Sequence, residues 1–174
     1  YLEPIDFVGT DEKTAQAFKV TLPKTEVRSS GDYVFVVEPT PYYEETEDKE
    51  FVSKLYTTMI QPMANFMASY RDEATGLPHA SYDLWEEKFL THTYTAALVH
   101  RALVCAGDLA ELLEFPDDAD RWRTVAAELA KQTAVFTDPE RGYLRKGYLL
   151  QEDGSLQFDN TLDVSSAYGV MMFA

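Results

Sequence analysis

Ser81-Tyr82-Asp83-Leu84-Trp85-Glu86-Glu87 sets two adjacent carboxylates directly behind an indole, with a further carboxylate, Asp83, just upstream. An aromatic face stacks on the apolar face of a pyranose ring. A carboxyl group held against apolar walls has its neutral form favoured, so it can donate a proton near neutral pH. Side chains at i and i+1 do not share a helix face, so one carboxyl can address a scissile bond while the other turns aside. Repulsion between the two, together with partial burial, holds one of them protonated. This is the chemistry of a glycosidase.

Charge and composition narrow the partners. The chain of 174 residues carries 30 acidic against 15 basic side chains and a formal net charge of -15. Nucleic-acid binding is led by clusters of Lys and Arg, so a phosphate backbone is an unsuitable partner. The same charge repels an anionic membrane surface and suits a neutral ligand such as a sugar. No apolar run reaches the ~20 residues of a bilayer span, which fits a soluble chain, cytoplasmic or secreted. The sequence holds no Gly-rich phosphate loop, no Gly-x-Ser-x-Gly elbow and no Cys or His cluster at metal-ligand spacing, and no cofactor is expected. Cys105, the single cysteine, excludes an internal disulfide and reads as a small buried hydrophobe. His92 and His100 read as satisfied helix residues and His79 as a loop residue. Arg141 and Arg145 read as exposed cations on a turn.

The elements that must position the couplet follow from periodicity. Phe18 to Leu22 and Tyr33 to Val37 read as two strands, closed by Pro39 and Pro41, so residues 1–45 form a strand-like N-terminal segment. The acidic stretch 44–50 reads as a solvated helix entry or linker. Apolar residues at Val52, Leu55, Tyr56, Met59, Ile60, Met63, Phe66, Met67 and Tyr70 predict a helix kinked or restarted at Pro62. Residues 72–78 then form a loop. A long helix over 91–114 follows the couplet, placing Glu87 near a helix start where the dipole favours a carboxylate. Pro116 ends that helix and Asp117 caps the next, whose stripe is Ala119, Trp122, Ala126, Leu129 and Ala130. The short connection predicts an antiparallel αα-hairpin. Residues 143–150 and 156–158 flank Asp153-Gly154 as a β-hairpin, and a last helix starts near Thr161-Leu162-Asp163. The chain stops inside that helix and begins at Tyr1, so it is expected to be a piece of something longer.

Thr75-Gly76-Leu77-Pro78, then the Ser81 to Glu87 run, then Thr91-His92-Thr93-Tyr94-Thr95-Ala96 together resemble the catalytic domain of the glucoamylase and glucodextranase family of glycoside hydrolases. The match runs over 51–173 and includes Asp159-Asn160-Thr161-Leu162-Asp163-Val164-Ser165. The resemblance implies a mainly α fold, part of an (α/α)6 toroid over 46–174, with a β-hairpin insertion. It implies exo-hydrolysis of α-linked glucose from an oligo- or polysaccharide, with inversion at the anomeric carbon. Glu86 would be the general acid, Glu87 would bind sugar hydroxyls, Trp85 would wall the subsite, Asp83 would belong to the acid's hydrogen-bonded surround, and Tyr82 would support it by packing or hydrogen bonding. The base would lie late in the domain, on a segment this chain lacks, so the fragment is expected to be inactive alone and to associate with the rest of the domain or with itself. A non-catalytic carbohydrate-binding or structural relative, and a trehalase-like specificity, remain alternatives on the same scaffold.

Overall fold

The computed structural model of the chain describes residues 39–173, so the expected strands at 18–22 and 33–37 lie outside the described residues. The described part is mainly helical, with one small antiparallel sheet. Helix α1, Pro39–Thr46, already departs from expectation, because the end of the strand-like segment is helical. Helix α2, Lys49–Leu55, starts where Asp48 accepts the Phe51 N–H at 2.9 Å, so part of the acidic stretch serves as a helix cap.

The helix expected around Pro62 is continuous but changes register. A π turn over Tyr56–Ile60 separates α2 from α3, Gln61–Ser69, and Pro62 sits in the first turn of α3. There the missing N–H does least harm, and the widened turn upstream absorbs the ring.

Helix α4, Thr93–Leu112, is the centre of the molecule: 14 of its 20 residues are buried. Most faces of α4 are covered, because α3, α5 (Pro116–Gln132) and α6 (Val164–Phe173) all pack on it. Helices α4 and α5 form the expected αα-hairpin, but the stop differs from the reading. Glu114 takes a left-handed φ of 68° and Phe115 N–H bonds back to the Ala110 carbonyl at 2.8 Å, which closes α4 without a glycine. Pro116 therefore opens α5 instead of ending α4, and Asp117 lies in its first turn instead of capping it. Trp122, wholly buried, locks the hairpin to α3 by donating its indole N–H to Asn65 at 3.0 Å.

The sheet is a meander in the order β1 (Ser81–Tyr82), β2 (Phe89–His92), β3 (Gly147–Leu150), β4 (Leu156–Asp159), every neighbour antiparallel. The α4/α5 hairpin is inserted between β2 and β3. Strand β2 occupies residues expected to begin the long helix, which starts at Thr93 instead. Gly147 shows why β3 can lie so close to β2: a Cβ there would sit 2.4 Å from the Thr91 carbonyl oxygen and 3.0 Å from the His92 Cα. The expected β3–β4 hairpin turns at Gly154, φ 82°.

Candidate active site

The couplet lies on the loop of the β1–β2 hairpin, residues 83–88. Its local fold is dictated by Asp83. One carboxylate oxygen accepts the Trp85 N–H at 3.0 Å, and the Asp83 carbonyl accepts the Glu86 N–H at 3.1 Å, closing a tight turn. Glu86 is thereby placed at φ 52°, a left-handed conformation unusual for glutamate. Such strain at a loop tip is found where a side chain must be aimed. Glu87 therefore lies in a hairpin loop and not at a helix start, so no helix dipole supports it.

The five expected site residues separate by environment. Asp83 is fully buried, whereas Trp85 is 50 % exposed and Leu84, Glu86 and Glu87 are exposed with it. Tyr82 packs edge-on against Phe89, with ring centroids 5.3 Å apart, and so braces the hairpin from its outer side. The Trp85 indole N–H donates to Asp163 at 2.9 Å, which holds the ring plane against the start of α6. Among the described residues, the Glu86 carboxylate makes no ion pair or hydrogen bond.

Beneath the loop sits a cation the sequence did not single out. Lys146, 1 % exposed, places its Nζ 3.0 Å from Asp163, 3.3 Å from Glu87 and 3.8 Å from Asp83. Burial alone would depress this ammonium, but the bond to Asp163, the charge of Asp83 and the bond to Glu87 outweigh it and hold its pKa above the usual lysine value. Asp163 shows the counterpart. Burial raises it, while bonds from Trp85, from the Ser165 hydroxyl and backbone N–H, and from Lys146 pull it well below the usual carboxylate range. Asp163 is thus at once the head of α6, accepting the Ser165 N–H at 2.8 Å, and a tether of Trp85.

His92, expected in a helix, ends β2 instead and is buried against the same cluster. Its Nε2 donates to the Lys88 carbonyl at 2.9 Å, and its Nδ1 lies 3.5 Å from the Asp83 carboxylate without a hydrogen bond. Burial pushes its imidazolium down, against the pull of the Lys88 carbonyl and Asp83. His100 lies within α4, near the Phe173 carbonyl at 3.4 Å, and His79 sits edge-on against Tyr70.

Arg145 corrects the reading of the hairpin cations. It is not exposed: its guanidinium lies 3.8 Å from the centre of the Phe158 ring, and it donates to Asn160 at 2.9 Å and to the Val135 carbonyl at 3.0 Å. Arg141 is exposed as expected. Cys105 is buried and free as expected, and burial raises its thiol pKa.

A shallow groove of about 570 Å³ lies beside the loop on the sheet, lined by Leu90, Leu149, Gln157, Phe158, Asp159, Asn160 and Thr161. Lys88 at the end of the loop joins the two regions through its 2.6 Å ion pair with Asp159. Burial would raise Asp159, yet bonds from Lys88 and Thr161 bring it down to about 2. Glu86 does not line this groove. Among the described residues, no group of three or more His, Cys, Asp or Glu side chains could hold a metal ion, and no helix is long and apolar enough to cross a membrane.

Residues 40–174 match the family Glycosyl hydrolases family 15, and the chain belongs to that family. No similar curated protein and no similar solved structure was found.

Proposed function

We propose that the protein hydrolyses α-linked glucose from the end of an oligo- or polysaccharide with inversion, and that Glu86 is the general acid. The observation that carries this reading is the division of the couplet. Lys146 engages Glu87, while Glu86, at φ 52°, is left exposed and without a cation among the described residues. Glu87 is committed to Lys146, so of the two it is Glu86 whose carboxyl is free to reach a glycosidic oxygen; the partial burial expected to keep one of the pair protonated is not found, since both are exposed. Glu87 keeps part of its carboxylate exposed to accept sugar hydroxyls, the Trp85 face offers a stacking wall, Asp83 fixes the turn, and Tyr82 braces it.

An inverting mechanism requires a second carboxylate about 6.5–9.5 Å from the acid, to admit the attacking water. In this reading that base, and the rest of an (α/α)6 toroid around α4, are supplied outside residues 46–174. The chain of 174 residues alone should then give no turnover on maltose or isomaltose. In the complete protein, Glu86→Gln should lower kcat by about 10²–10⁴-fold with the thermal midpoint unchanged. Wild-type turnover by that variant would remove Glu86 from the reaction.

A second reading, carbohydrate binding without hydrolysis, is favoured by the position of Glu86 outside the described groove. It predicts that the complete protein binds maltose and shows no turnover for Glu86→Gln to reduce. A trehalose preference would be read from relative kcat/KM on trehalose and maltose.

A further inference from the structure

We infer that Lys146 is a positioning residue for the reaction: it holds Glu87 in its sugar-binding pose. The inference rests on the reading of Glu86 as acid and Glu87 as sugar ligand. Four features of the structure support it.

An ammonium has three N–H donors and no acceptor, and three carboxylates surround this one, at 3.0, 3.3 and 3.8 Å. They come from both places where the site is built, Asp83 and Glu87 on the hairpin loop and Asp163 at the head of α6. The lysine itself is rooted in neither. Its backbone N–H bonds to the Asp159 carbonyl and its carbonyl accepts the Thr93 N–H, both at 3.0 Å, so the end of β4 and the start of α4 fix its origin. The neighbouring carbonyl of Arg145 accepts the hydroxyls of Thr93 at 2.7 Å and Ser166 at 3.2 Å, which ties the same point to α4 and α6.

A buried cation is a costly way to join elements, since a well-packed apolar side chain would do so without removing charge from water. What the cation adds is orientation. Glu87 is the one carboxylate of the three that remains largely in solvent, its side chain 64 % exposed, while Asp83 and Asp163 are at 0 % and 12 %. Lys146 thus reaches from the interior to hold the inner oxygen of a carboxylate whose outer edge faces solvent, where a sugar hydroxyl would be bound.

The charges around Lys146 are Asp83 and Glu87 from the loop, Asp163 from α6 and the His92 imidazole from β2, which burial keeps toward its neutral form. Without the ammonium this surround is wholly anionic.

The test uses the complete protein with Lys146→Gln, which is one atom shorter and keeps a donor but removes the charge, and Lys146→Arg, which keeps the charge. For maltose, Lys146→Gln should raise KM by roughly tenfold, the loss of one charge-assisted bond, with a smaller effect on kcat. Lys146→Arg should keep KM near its wild-type value. In a Glu87→Gln background, Lys146→Gln should raise KM no further. If Lys146→Gln lowers the thermal midpoint but leaves KM in place, or if neither variant folds, the lysine only assembles the fold and the inference is overturned. Unchanged activity in Glu86→Gln would instead remove the acid assignment, whatever the lysine variants do.

Discussion

Helices α4 and α6 lie against each other and use their residues in opposite ways. Helix α4 buries its apolar side chains, among them Leu98, Val99, Leu103 and Leu109. Helix α6 buries Ser165, Ser166 and Gly169 against α4 and turns Val164, Tyr168, Met171 and Met172 outward. Close approach decides this arrangement: a Cβ on Gly169 would lie 2.9 Å from the Tyr94 Cα, so only the smallest residue fits the crossing. A helix whose large apolar residues face out is one face short of a packed layer. The candidate site sits at the head of that helix, tethered through Asp163, so it lies on the border between a finished core and an apolar surface.

The largest effect should come from breaking the finished side. Trp122→Ala removes a wholly buried ring that packs near Tyr56 and leaves Asn65 without its indole donor, so unfolding in urea should show a loss of about 3–5 kcal/mol. A loss below one would mean that α4 is less completely covered than α6 is bare.

Next comes the contact between the two helices. Gly169→Ala forces α6 away from α4 and should cost about 1–3 kcal/mol. Because Asp163 heads α6 and holds the Trp85 indole, the same change should shift Trp85 fluorescence, a readout that Trp122→Ala should not share. To assign the signal, Trp85→Phe serves as the blank.

Acid should loosen the sheet side. Asp159 is held down to about 2 against an ordinary value of 3.8. Its folded form is the more acidic, so its contribution is present above the unfolded value and is lost as pH falls from about 4 through about 2. Asp159→Asn should flatten that part of the stability profile measured by thermal unfolding; an unaltered profile would show that the Lys88 pair contributes nothing there.

The smallest effect should fall on the outward face of α6. Met171, 84 % exposed, should change folding stability by no more than about 0.5 kcal/mol when replaced by Lys. If that face drives self-association, sedimentation of the 174-residue chain should nevertheless show a lower average mass for Met171→Lys than for wild type. A compact monomer in both cases would show that the bare apolar face needs no cover.

The repeating apolar stripes made the αα-hairpin legible, because a helix with one buried face repeats its pattern every three to four residues. Asp153-Gly154 announced the β3–β4 turn by the same kind of local rule. The β1–β2 hairpin announced itself far less. Its strands are two and four residues long, too short for alternation to register, and its turn is closed by Asp83 with Glu86 in a left-handed φ where a glycine would have been the signal. The start of α4 was misplaced for the same reason, since Phe89–His92 continues smoothly into helical residues.

The site divided along similar lines. The residue types at Trp85, Glu86 and Glu87 suggested a sugar chemistry because an indole and paired carboxyls are local features. Lys146 did not declare itself, although Gly147 beside it marks a close crossing of strands.

Sequence by itself singled out the candidate couplet and most of the helical stretches, since both depend on residues within a few positions of one another. The tertiary structure decided which glutamate is tied to a cation and which is left without one among the described residues. That choice depends on Lys146 meeting Glu87 across 59 residues of chain, a meeting set by how β3 packs on β2 and by nothing in the neighbourhood of either residue.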